Sequence, residues 1–114
     1  MKRDLVYLNH IHDAIRQIEQ YTHNGEAIFL SEKHWQDATI RQLEIIGEAT
    51  KRLSKDLLAS NPDVPWRRIA GLRDVLIHEY MGVDIRAVWE ITQKNLPQLK
   101  SAVENILKKL PAAH

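Results

Sequence analysis

The sequence predicts an all-α protein, and three observations carry that reading. Only four glycines and four prolines interrupt its 114 residues. Alternating β-branched runs of the kind that make strands are missing, and the apolar residues instead recur at the three- and four-residue spacing of helices. The length suits one domain, 1–114, with a single core.

The elements follow in order. Leu8, Ile11, Ile15 and Ile18 lie at helical intervals, and Asn24-Gly25 is a natural left-handed exit, so a first helix is expected over roughly 4–23. A short connection carries Ile28, Phe29 and Leu30. A long helix then runs from Ser31, a plausible N-cap, to Ser60, where Asn61-Pro62 ends it. Leu43, Ile46 and Ala49 share one side of that helix while Ile45 points elsewhere, so both sides should be buried. "NPDVPWRRIAGL" makes a turn and a new start, with Pro65 suited to the first turn of a third helix. Met81-Gly82-Val83 breaks that helix. Asp84 is a good N-cap for a short fourth helix to about Gln93, and Asn95 followed by Pro97 starts a fifth that reaches about Leu110.

Composition removes several kinds of chemistry. Without cysteine there is no disulfide, thiolate nucleophile or cysteine-type zinc site. No window approaches the roughly 20 uninterrupted apolar residues of a membrane span, so no membrane association is expected. Asp4, His10, His12 and Asp13 occupy the place where a secretory signal would need its apolar stretch, and the expected location is the cytoplasm. A formal net charge of +1 provides no broad pull on nucleic acid, so any RNA binding must use a local patch.

The third helix carries the stretch with chemistry in it, "RDVLIHEY" at residues 73–80. On a helical wheel advancing about 100° per residue, Ile69, Leu72, Val75 and Leu76 form a compact core stripe. Arg73 and Tyr80 share one polar line, and Asp74 and His78 share another. Between the two lines lie Ala70, Ile77 and Met81, apolar residues that something should cover. Arg73 and His78 are about 7.5 Å apart in helical rise, so a guanidinium and an imidazole can converge on one phosphate. Asp74, one turn before His78, can accept an imidazole N–H and fix its tautomer. His78 would then be the acid or base, and Arg73 would hold the phosphate through a bidentate fork and stabilise developing charge.

Plainer readings exist beside each of these. From pattern alone the stretch also fits a surface arginine next to an ordinary i,i+4 Asp–His pair. His10 and His12 point to nearly opposite sides of the first helix and cannot chelate one ion, and His23, His34 and His114 sit near helix ends or the terminus. No metal or other cofactor is implied. Trp35, Trp66 and Trp89 could stack on bases, but their periodic positions read as core.

The motif fits R-x4-H-x-Y, and together with "LEIIGEA" (43–49), "PWRRIAGLRDVLIHEYMGVD" (65–84) and "VWEITQKNLPQL" (88–99) it resembles the HepT-like toxins of the HEPN superfamily over essentially the whole chain. The resemblance implies a five-helix up-and-down bundle that forms a homodimer, with the motif of each chain lining a cleft at the interface. It implies a metal-independent endoribonuclease that cuts RNA by attack of its own 2′-hydroxyl, leaving a 2′,3′-cyclic phosphate. Carried over, Arg73 and His78 would be catalytic and Asp74 would occupy the polar position that members commonly use in the site. The implied partner is a minimal nucleotidyltransferase antitoxin that transfers AMP from ATP onto the motif tyrosine, here Tyr80. The rival reading keeps the same fold but makes the chain a helical binding module that partners a nucleotidyltransferase without cutting RNA.

Overall fold

The computed structural model describes residues 2–72 and 84–110, and every described element is helical. Helix α1 spans Lys2–Tyr21. Its stripe of Leu8, Ile11, Ala14, Ile15 and Ile18 is fully buried, as the spacing requires. α1 packs along α3 (Lys33–Lys51) and against α7 (Leu96–Lys109). The chain leaves α1 through Gly25, whose φ of 96° lies in the left-handed region; no neighbour lies within 4 Å of where its side chain would begin, so backbone conformation rather than space favours glycine there.

The expected connection over 28–30 is a helix, α2, Glu26–Ser31. Phe29 explains it: the ring is completely buried, 5.3 Å from the ring of Trp89, and one turn of helix aims it there. Ser31 therefore does not cap the next helix. It closes α2, and its hydroxyl donates to the Ile28 carbonyl. Glu32 is the N-cap of α3, and the Gln36 amide satisfies the end of α2 by donating to the carbonyls of Phe29 and Leu30 at 3.0 and 3.1 Å.

The long helix expected over 31–60 is also divided. α3 ends at Lys51, and α4 begins anew as Lys55–Ser60. Ser54 is extended (φ −68°, ψ 151°) and caps α4 by accepting from the Leu57 amide. The break is held from a distance, because the buried carboxylate of Asp4 accepts from both the Ser54 amide and its hydroxyl. Within α3, Leu43, Ile46 and Ala49 are buried as expected and Ile45 is half-buried on another side.

α5 is short, Trp66–Ala70, with Pro65 immediately before it. α6 spans Ile85–Glu90 and begins as the sequence indicates, with the Asp84 carboxylate accepting from the amides of Arg86 and Ala87. The expected restart at Asn95 is not a restart. Residues Ile91–Asn95 form a π turn, Asn95 is helical with no side-chain cap, and the chain passes straight into α7. The reason lies in the spacing of Val88, Thr92 and Leu96, all buried. Eight residues overshoot two α turns, which take about 7.2, and one widened turn keeps the three on one line. The same widening, closed by the Leu96 amide donating to the Ile91 carbonyl, makes room for Pro97, which would disrupt a regular helix at this depth.

Candidate functional site

Arg73, Asp74, His78 and Tyr80, with Ile77 and Met81, lie outside the described residues, so the structure describes the ground on either side of the motif. On the approach, Asn61 ends α4; its side-chain amide donates to the Leu57 carbonyl and its own carbonyl accepts from the Trp66 indole N–H at 2.9 Å. Trp66 and Ile69 are buried, and through them α5 is seated against α3. This fixes the direction in which the chain enters the motif. Arg67 and Arg68 stand on the opposite, exposed side of α5, six and five residues before Arg73. Beyond the motif in sequence, the Asp84 carboxylate caps the start of α6. Two exposed basic side chains of α5 thus stand just ahead of the motif in sequence.

Beside this approach a groove of about 420 Å³ opens between the α4–α5 connection, α5, the π turn and α7. Ile69, Leu72, Leu96 and Leu99 line its apolar part. Asp63, Arg68, Asn95 and Gln98 line its polar part and are exposed. A second groove, of about 310 Å³, lies between α1 and α3 and is lined by Tyr7, His10, Arg41, Glu44, Glu48 and Arg52 among others. There the charges alternate: Arg41 is 3.8 Å from Glu44 and Arg52 is 3.6 Å from Glu48, an arrangement with little net field.

His10, His12 and the tryptophans take structural places. His10 is exposed and meets the Tyr7 ring edge-on at 5.7 Å. His12 is half-buried, and its Nε2 lies 2.9 Å from a Glu104 carboxylate oxygen, tying α1 to α7. That hydrogen bond holds the Glu104 carboxyl below its ordinary pKa, against the opposing effect of burial. Trp66 is core, Trp89 packs on Phe29 and Trp35 on Tyr21, so these indoles are committed to packing. The groove by α5 is what sequence reading missed: Asn95 reads as a helix cap in one dimension, and only the π turn places it beside residues 63–72. No described helix is long and apolar enough to cross a membrane.

Comparison with known proteins supplies the family. Residues 11–106 match the model of the family described as "Ribonuclease HepT-like". The chain is 44% identical over 103 residues to "Probable ribonuclease HepT" of Thermococcus cleftensis, covering 90% of this chain and 94% of that one. It is 42% identical over 112 residues, 96% of its length, to "Gamma-glutamylcyclotransferase and putative RNase" of Methanocaldococcus jannaschii, of which it spans 50%. No solved structure matches. With an all-helical bundle, the R-x4-H-x-Y motif and a family match over most of its length, the chain belongs to the HepT-like ribonuclease family.

Proposed function

We propose that this chain, as a single domain over 1–114, is a metal-independent endoribonuclease and the toxin of a toxin–antitoxin pair, cutting RNA at a cleft between two copies of itself. The observation that carries the reading is the R-x4-H-x-Y motif at Arg73, His78 and Tyr80 in a chain of the HepT-like ribonuclease family. In this reading the RNA 2′-hydroxyl attacks the adjacent phosphorus. The bond from phosphorus to the 5′-oxygen breaks, leaving a 2′,3′-cyclic phosphate and a 5′-hydroxyl. His78 moves the proton, taking it from the nucleophile or giving it to the leaving oxygen. Asp74 orients the imidazole, and Arg73 grips the phosphate and stabilises its growing charge. The antitoxin is a minimal nucleotidyltransferase that transfers AMP from ATP onto the Tyr80 oxygen, releasing pyrophosphate.

The test is to incubate the purified chain with RNA in EDTA beside an Arg73→Ala control. Cleavage by the intact chain alone, with cyclic phosphate at the new 3′ ends, is the expected result. RNA left whole, or cut equally by both, would leave a helical module that binds a nucleotidyltransferase as the better account.

A further inference from the structure

Three separate segments bring basic side chains to one end of the bundle. The hydrogen bonds from Ser54 to Asp4, at 2.8 and 2.7 Å, seat the first turn of α1, with Arg3, against the junction of α3 and α4, with Lys51, Arg52 and Lys55. α7 runs antiparallel to α1, since Lys100 meets Glu19 at 3.0 Å and Glu104 meets His12 at 2.9 Å. Its last turn, with Lys108 and Lys109, therefore returns to that same end. All six side chains are exposed. Most carboxylates of these segments are engaged: Asp4 is buried on Ser54, Glu48 lies 3.6 Å from Arg52, and Glu104 is bonded to His12, which leaves Asp56. Elsewhere in the chain acidic residues outnumber basic ones, so a protein of net charge +1 has a distinctly cationic end.

Helix dipoles account for only part of this pattern. Lys51, Lys108 and Lys109 stand in the last turns of α3 and α7, where a cation suits the negative end of the dipole. Arg3 and Lys55 stand in the first turns of α1 and α4, where the dipole disfavours a cation. Nor do contacts within the chain explain them: among the described residues the side chains of Arg3, Lys55 and Lys109 make no hydrogen bond or ion pair, and Lys108 only helps to lower the pKa of Glu104. We infer that this end of the bundle is an RNA-contacting surface outside the motif, where Arg3, Lys55, Lys108 and Lys109 hold phosphates of the strand. The inference rests on the ribonuclease reading above, which makes RNA the polyanion in place of an acidic protein or a lipid surface. Flexible cations on three segments grip a backbone without reading base edges, so the surface adds affinity and no sequence preference.

The experiment measures binding of the full chain to a labelled single strand of 2′-O-methyl RNA, which lacks the attacking hydroxyl, by fluorescence anisotropy over a range of salt. Arg3→Gln/Lys55→Gln should weaken binding about tenfold at about 0.1 M salt and make the slope of log affinity against log salt shallower by about 1, as the loss of two single-strand phosphate contacts requires. Lys108→Gln/Lys109→Gln should do the same, equally for strands of different sequence. Lys33→Gln/Lys94→Gln removes as much charge from the start of α3 and the π turn before α7, at the other end of the bundle, and should change affinity by less than about twofold. The melting temperature of Arg3→Gln/Lys55→Gln should be unchanged or slightly higher, since cations leave the first turns of two helices, which separates lost binding from lost fold. The inference is overturned if both pairs of variants bind like the parent, if the control pair loses as much, or if the parent binds vesicles of phosphatidylglycerol and not RNA. Because this strand cannot be cut, none of these outcomes bears on catalysis, which Arg73→Ala tests on cleavable RNA.

Discussion

Asp4, on the first turn of α1, accepts two hydrogen bonds from Ser54, fifty residues later, at 2.8 Å from its backbone amide and 2.7 Å from its hydroxyl. The pair stops α3 from running on and lets Ser54 cap α4. Asp4→Ala should therefore cost about 2–3 kcal/mol, since it leaves two donors at a shielded place without their charged acceptor. Asp4→Asn, which keeps one acceptor oxygen, should lose about half as much. Urea denaturation followed by circular dichroism measures both, and equal stability of all three proteins would show that water replaces the carboxylate.

A second long-range contact makes stability depend on pH. The His12 hydrogen bond, helped by the charges of His12, Lys100 and Lys108, lowers the Glu104 pKa in the folded chain. A depressed carboxylate stabilises the fold above its unfolded pKa, and that contribution disappears as pH falls through the folded value. Melting temperature measured between about pH 6 and pH 3 should fall less steeply in Glu104→Gln than in the parent chain. Parallel slopes would mean that the contact carries no linkage.

How far these features can be seen in the sequence depends on how local their causes are. The α1 stripe and the Asp84 cap depend on residues within a turn or two of each other, and both stand where spacing puts them. The break at Ser54 depends on Asp4, and no window along the chain holds both residues. α2 is too short to show a period and exists because Phe29 has Trp89 to pack against. Asn95 and Pro97 imitate a helix start, while the true signal is the double four-residue step from Val88 to Leu96. The R-x4-H-x-Y motif is visible in the sequence because its residues stand within one stretch, whereas the groove by α5 is not, because its walls come from segments some thirty residues apart.

Removing either proposed catalytic group should separate activity from folding. Arg73→Ala and His78→Ala should each reduce RNA cleavage by at least about a hundredfold while the helical circular dichroism spectrum is retained, because both lie off the core stripe of the wheel. Asp74→Asn should reduce it less, since an amide oxygen still accepts from the imidazole. Full activity in either alanine variant would remove that residue from the mechanism.

The strip of Ala70, Ile77 and Met81 between the two polar lines should be covered by a second copy. Ala70 is half-buried within one chain. Light scattering should report about twice the 13.3 kDa of the monomer. Ile77→Lys should return the mass to that of one chain and abolish cleavage with it, because each cleft is proposed to need both motifs. A monomeric variant that still cuts RNA would detach catalysis from assembly.

Tyr80 lies seven residues after Arg73, which on a helix places it within about 20° of the same line. An AMP on its phenolic oxygen would carry a phosphate toward the guanidinium proposed to grip RNA. The modified chain should therefore stay folded and lose RNA binding as well as cleavage, most visibly at low salt, where phosphate contacts dominate affinity. Co-expression with a neighbouring nucleotidyltransferase should raise the intact mass by one or more AMP units mapping to Tyr80, and Tyr80→Phe should remain unmodified and uninhibited. An unchanged mass with activity still suppressed would show that the partner works by occupying the cleft, leaving Tyr80 an interface aromatic whose hydroxyl has no part in control.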